Sequence, residues 1–345
     1  MHMADALLSP AVGGVMWAGA AGAIAYSSKK VKEEIDTKKI PLMGVLGAFI
    51  FAAQMINFSI PGTGSSGHLG GGMILAILLG PYAGFLTIAS VLVIQALFFA
   101  DGGLLALGCN IINLGFFSCF VAYPLIYKKL EDDNPLSPKS ILAVMLSVII
   151  GLQLGAFFVV LETLFSGISE LTLGKFILLM QPIHLAIGFI EGIITIAVVS
   201  FVWKARPEIM ESASNNKKIE SKTSLKNVLI GILLASLIIG GVLSWFASSH
   251  PDGLEWAIFH TTGKEELETR DNKIFGIVES IQEKLAFLPD YSFKTKSESD
   301  ADANKFPAVS AGTSVSGLIG GLITLVLVVI IGFLFRVFNK RKKIE

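Results

Sequence analysis

The chain has 345 residues, of which 53% are hydrophobic and only 16% charged, a balance that excludes an ordinary soluble domain and describes a polytopic membrane protein. Its 27 Lys and Arg offset 27 Asp and Glu, but a net charge of zero decides little, because orientation in a membrane follows where the basic residues lie. They are confined to membrane flanks and linkers, which excludes a nucleic-acid surface.

The amino end, Met1-His2-Met3, has neither the basic stretch nor the small-residue cleavage site of a secretory leader, so Met1 is expected to be retained. A chain that starts X-His is a chelator in itself. The terminal amine, the second amide and His2 Nδ1 close adjacent five- and six-membered rings, a donor set that favours flat Ni(II) or Cu(II) geometry. Apolar runs of spanning length follow at 11–28 and 41–58. Next comes Gly62-Thr63-Gly64-Ser65-Ser66-Gly67-His68-Leu69-Gly70-Gly71-Gly72, whose six glycines permit close backbone approach and whose His68 offers a further nitrogen. A solvated loop histidine is the alternative left open.

A shorter run at 69–79 ends at Gly80-Pro81, and longer ones occupy 81–99, 104–127, 140–165, 176–203, 225–247 and 317–338. The basic residues arbitrate whether the short run crosses. Lys29, Lys30, Lys32, Lys38 and Lys39 put the first connection inside, and only a crossing at 69–79 also brings Lys128, Lys129, Lys204 and Arg206 inside. The expected fold is therefore an all-α membrane protein, a seven-helix bundle over 1–205 with the amino terminus and His68 on the external face. Ten helical residues span about 15 Å of a core about 30 Å thick, so the Gly-rich loop is expected to dip into the bundle, where irregular backbone is tolerated. Residues 206–224 are polar and without hydrophobic periodicity, as in a cytoplasmic linker. Residues 225–345 form a two-helix hairpin around an extracellular loop, 248–316, whose closing part, 292–305, is expected to be mobile.

Polar residues inside apolar runs are costly and stand out. His184 and Glu191, seven apart on one helix face, join Gln181 and Glu162 as either ties between helices or parts of a metal vestibule. Asp101 either accepts a hydrogen bond from a metal-bound imidazole or merely turns the chain before Gly102-Gly103, with Asn110 and Asn113 nearby. Cys109 and Cys119 fall in apolar runs and read as packing residues rather than a disulfide. Small residues recur as Gly14, Ala18, Gly22 and as Gly44, Ala48, Ala52, suited either to internal helix packing or to a docking face. The chain has no Gly-x4-Gly-Lys-Ser/Thr phosphate loop, His-Glu-x2-His pair or Gly-x-Ser-x-Gly turn, so an enzyme is not expected and any ATP use lies in other chains.

With Met1-His2-Met3, Ser66-Gly67-His68-Leu69-Gly70-Gly71, Leu79-Gly80-Pro81, Gln95-Ala96-Leu97-Phe98, Asp101-Gly102-Gly103, Asn110, His184 and Glu191 in this order, residues 1–205 resemble the substrate-capturing membrane subunit (CbiM/NikM type) of energy-coupling-factor nickel/cobalt transporters. Pro251-Asp252-Gly253-Leu254-Glu255 resembles the small accessory component of such systems, fused here to the capture subunit. The resemblance implies a square-planar Ni(II) or Co(II), as transported ligand with no organic cofactor, bound through the Met1 amine, the His2 amide and imidazole, and the His68 imidazole. It implies two kinds of partner, a transmembrane coupling (T) subunit and cytoplasmic ATPase subunits, in the cell membrane of a prokaryote, with the helix of Gly44, Ala48 and Ala52 at a docking position. Protons compete for these nitrogens, so affinity is expected to fall through the histidine range near about 6.5. One rival is a stand-alone permease or channel, which calls for a polar pathway of carboxylates beyond Glu162, His184 and Glu191; another is a zinc hydrolase at His184 and Glu191, which lacks ligands.

Overall fold

The computed structural model describes residues 2–34, 36–168, 170–215, 219, 224–264, 267, 272–294 and 307–341. Apolar runs become helices because only a helix satisfies its own backbone groups where water is absent. In chain order these are α1 (Pro10–Glu34) and α2 (Lys39–Gln54), then a hairpin of β1 (Phe58–Ile60) and β2 (Ser65–Gly67). The bundle continues with α3 (Gly72–Leu79) and α4 (Pro81–Phe99). Leu107–Leu130 is α5, with wide π-type turns around Pro124. It is followed by α6 (Pro138–Phe165), α7 (Leu173–Ala205) and α8 (Pro207–Asn215). The last part holds α9 (Lys226–Gly241), α10 (Gly253–Thr262), α11 (Lys273–Leu285) and α12 (Ala311–Arg341).

The chain is thus an all-α membrane protein with one short hairpin, and α4, α5, α6, α7 and most of α12 are each long and apolar enough to cross a bilayer. Helix α3 is apolar all round and buried from Gly72 to Leu79, as expected of a helix enclosed on every side. Its eight residues rise about 12 Å. The Gly-rich loop makes up the difference by entering the protein, and Ser65 and Ser66 are fully buried.

Four expectations change. The run 41–58 is helical only to Gln54, because Phe58-Ser59-Ile60 pairs antiparallel with Ser65-Ser66-Gly67 across a turn in which Gly62 and Gly64 have positive φ. The segment 206–224 carries α8, whose Ile209, Met210 and Ala213 are buried, so this stretch is anchored rather than extended. The loop 248–316 contains α10 and α11, while most of its closing part, 292–305, lies outside the described residues. Finally, the stripe Gly44, Ala48, Ala52 is not an open docking face. Helix α12 lies on it so closely that a Cβ on Gly44 would stand 2.7 Å from Val329 Cγ2, and one on Gly320 would stand 2.0 Å from Phe51. The small residues let two helices of the same chain meet. On α1, Gly14, Ala18 and Gly22 remain exposed.

Candidate metal centre

The amino-terminal segment is drawn into the bundle by its apolar residues, with Met3, Leu7 and Leu8 almost fully buried. Burying an extended segment requires partners for its backbone, and these come from the far side of α4. Asn110 Oδ1 accepts from Met3 N (2.8 Å) while its Nδ2 donates to Met3 O (3.3 Å), which also accepts from Gly103 N (2.9 Å). Asp5 Oδ1 accepts from Ala106 N (2.9 Å). Gly103 is glycine for want of room: a Cβ there would lie 2.6 Å from Asp5 N.

This threading carries His2 to His68. Their rings stack with centroids 4.9 Å apart and planes 8° apart. His68 is only 8% exposed, and its Nδ1–H donates to Leu69 O (3.0 Å), leaving the lone pair on Nε2. The loop behind it is held by Glu191 on α7, whose carboxylate accepts from Gly70 N (2.7 Å) and Gly71 N (2.9 Å). Gln54 Nε2 donates to Gly70 O, and Gln95 Nε2 donates in turn to Gln54 Oε1, both at 2.9 Å. Glu191 is therefore a tie that positions the His68 loop. Gln181 and Gln153 join α7 to α6, and Glu162 accepts from Asn113 Nδ2 (2.8 Å). Cys109 and Cys119 are buried free thiols.

Asp101 is no mere turn residue. Its Oδ1 accepts from His2 Nδ1 (2.9 Å) and its Oδ2 from the Tyr291 hydroxyl. Burial alone would raise this carboxyl, but the charge and hydrogen bond of His2, with the hydrogen bond from Tyr291, outweigh it and hold it below the ordinary carboxylate range. One detail departs from the chelate geometry. The Nδ1 expected on the metal is taken by Asp101, and His2 Nε2 is buried without a partner among the described residues. The reason is the strength of an imidazole-to-carboxylate bond; a half-turn of the ring frees Nδ1 and brings Nε2 towards the carboxylate. Met1, the third expected ligand residue, lies outside the described residues.

The accessory half closes the other side. Pro251 O accepts from Ser66 N (2.8 Å), extending the hairpin by one bridge to Asp252, and Trp256 Nε1 donates to Thr63 O (2.9 Å). Asp252 caps α10, accepting from Leu254 N and Glu255 N at 2.7 and 2.9 Å, while Glu255 accepts from Asp252 N. Asp252, His68 and His184 line a cavity of about 10 Å³, room for about one water. His184 donates from Nδ1 to Met180 O (2.8 Å), and its Nε2 is buried without a partner among the described residues.

Burial pushes the His68 imidazole down to about 3, so it meets a cation already neutral, and a pH dependence near about 6.5 does not arise from this ring. Among the described residues no three His, Cys, Asp or Glu side chains are grouped to hold a metal. An ion at His2 and His68 must therefore draw on main-chain nitrogen, which suits flat late-transition-metal coordination. The sequence reading missed Gln54, Tyr291 and the placement of Asp252 against the site. Only the Pro-Asp-Gly-Leu-Glu motif signalled the last of these.

Residues 2–209 match the family described as cobalt uptake substrate-specific transmembrane region, and residues 226–337 match the PDGLE domain. A chain of Archaeoglobus fulgidus named for fused nickel transport, NikMN, is 32% identical over 95% of this chain and 96% of its own length. The cobalt transport protein CbiM of Clostridium tetani is 29% identical over 63% of this chain and 90% of its own. A crystal structure of a truncated transition metal transporter superposes with a TM-score of 0.52 at 32% identity, covering 59% of this chain and 99% of that one.

Proposed function

Since the chain belongs to the family of cobalt uptake substrate-specific transmembrane regions and carries a PDGLE domain, and is thus a membrane component of the nickel- and cobalt-transport class, we propose that it captures Ni(II) or Co(II) at the external face for ATP-driven import. The observation that carries this reading is the amino-terminal segment threaded through the bundle so that His2 stacks on the buried His68. The ligands we assign are the Met1 amine, the His2 amide and Nδ1, and His68 Nε2. Each ligand atom is a nitrogen, and the ring of His68 is already in the tautomer that presents Nε2. Residues 1–205 form the capturing unit, 206–224 the connection and 225–345 the accessory hairpin.

ATP hydrolysis belongs to separate partners, a transmembrane coupling subunit and cytoplasmic ATPases. The exposed stripe Gly14, Ala18, Gly22 on α1 is the surface we assign to the coupling subunit, since small residues let helices approach closely in lipid. The experiment is Ni(II) titration of the purified chain followed by visible absorption. Tight binding with a square-planar d–d band is expected, and loss of it on acetylating the amine or on His2→Ala or His68→Ala. Full affinity in His2→Ala would remove the proposal.

A further inference from the structure

The accessory half does more than cover the site, because it grips the same turn that orients His2. Residues 100–103 lie between two sets of contacts. From one side the amino-terminal segment reaches them through His2 on Asp101 and Met3 O on Gly103 N. From the other side Gln282 of α11 donates its Nε2 to Ala96 O (2.9 Å) and Gly102 O (2.8 Å), Leu288 N donates to Phe98 O (3.3 Å), and Tyr291 donates to Asp101 Oδ2.

The Tyr291 ring is itself held firmly. It stacks on Phe99 with centroids 5.2 Å apart and planes 20° apart, and meets Phe51 edge-on at 6.2 Å. Its backbone, like that of Asp290, is left-handed, with φ of 57° and 49°. Non-glycine residues held in that region cost about 1–3 kcal/mol each and persist only where their surroundings enforce them. Here the enforced conformation delivers one hydroxyl to one carboxylate oxygen.

The geometry points to Tyr291 as a positioning residue for metal capture, its hydroxyl fixing the Asp101 carboxylate and that carboxylate fixing the His2 imidazole. The inference rests on the metal-site reading above. A carboxylate with one free oxygen swings about its Cβ–Cγ bond. With Oδ2 held by Tyr291, Oδ1 is directed at the imidazole, and the ring is steadied whether it presents Nδ1 or, after a half-turn, Nε2. Partners standing behind a metal-bound histidine change metal affinity by about 10–100-fold. Tyr291 stands one bond further out, so the lower end of that range applies.

The test uses the full chain and Ni(II) alone. Tyr291→Phe keeps the ring on Phe99 and removes only the hydroxyl; it is compared with Asp101→Asn, the double variant and His2→Ala. The expectation is about tenfold weaker binding for Tyr291→Phe, a larger loss for Asp101→Asn, and no further loss when the two are combined, since the hydroxyl acts only through the carboxylate. The d–d band of the bound ion should be unchanged in Tyr291→Phe. Wild-type affinity in Tyr291→Phe, losses that add in the double variant, or a changed band would each overturn the relay. Should His2→Ala lose binding while Tyr291→Phe does not, the relay alone falls. Should His2→Ala bind as wild type, the metal site itself falls.

Discussion

Replacing Glu191 by Gln tests whether the His68 loop is held from α7 in the way the hydrogen bonds imply. The carboxylate is 2% exposed and accepts from Gly70 N at 2.7 Å and Gly71 N at 2.9 Å, two and three residues after the histidine. Gln has nearly the same shape but one acceptor oxygen, so its amide NH2 must face one of the two N–H groups. A hydrogen bond to a charged acceptor is worth about 1.5–3 kcal/mol, and a buried donor left unsatisfied costs about 1–3 kcal/mol. A neutral amide is cheaper to bury than a carboxylate, which offsets part of this. A net loss of about 2 kcal/mol remains, or about 30-fold in the population of the docked loop. Nickel affinity of the full chain in detergent, titrated by absorbance, should therefore fall about 10–100-fold, with the metal-free protein melting at lower temperature. An affinity within a factor of about two of wild type, where about 30-fold is expected, would refute the clamp.

Gly103→Ala would put a Cβ 1.8 Å from Asp5 Oδ1 and 2.6 Å from Asp5 N. The amino-terminal segment should be displaced, with at least a tenfold loss of Ni(II) affinity and faster proteolysis near residue 5. Acid should weaken the metal-free protein at this face. Because burial lowers the folded His68 to about 3, the unfolded chain binds a proton that the folded one refuses. This contribution is whole above about 6.5 and is lost as pH falls from there towards 3. Thermal unfolding between pH 7.5 and 4 checks it, and His68→Ala should flatten the slope. Asp101, lowered by His2 and Tyr291 against its burial, adds a loss in the same direction below the ordinary carboxylate range. Asp252→Ala removes the cap of α10, a change of about 0.5–2 kcal/mol. It should loosen the strand beside Ser66, seen as faster Ni(II) release in stopped-flow chelation. Gly44→Leu should drive α12 off α2, lowering thermal stability and exposing α12 to protease while leaving the His2 and His68 contacts in place.

Much of the architecture was legible in the residue order. Apolar runs name their own helices, since a chain in lipid has no other way to satisfy its backbone, and α4, α6 and α7 follow the runs within a few residues. Met1-His2 and His68 were legible as nitrogen donors because chelation by a terminal X-His needs no folding to be recognised. Less was legible where two alternatives used the same residues. Gly44, Ala48 and Ala52 suit an internal contact and a docking face equally, and only the presence of α12 distinguishes them. Phe58-Ser59-Ile60 continues an apolar run, and only its pairing with β2 makes it a strand.

By itself, the order of residues determined that this chain is a membrane helix bundle whose amino terminus and one loop histidine carry metal-binding nitrogens. What the tertiary structure decided is which residues hold those histidines: Asn110 on Met3, Asp101 on His2, Glu191 on the loop after His68, and Tyr291 on Asp101. These bonds join residues 99 to 190 positions apart along the chain, as from His2 to Asp101 and from Asp101 to Tyr291. A hydrogen bond acts over about 3 Å whatever the length of chain between its partners. It leaves no period or spacing in the sequence, and only folding brings the two ends together.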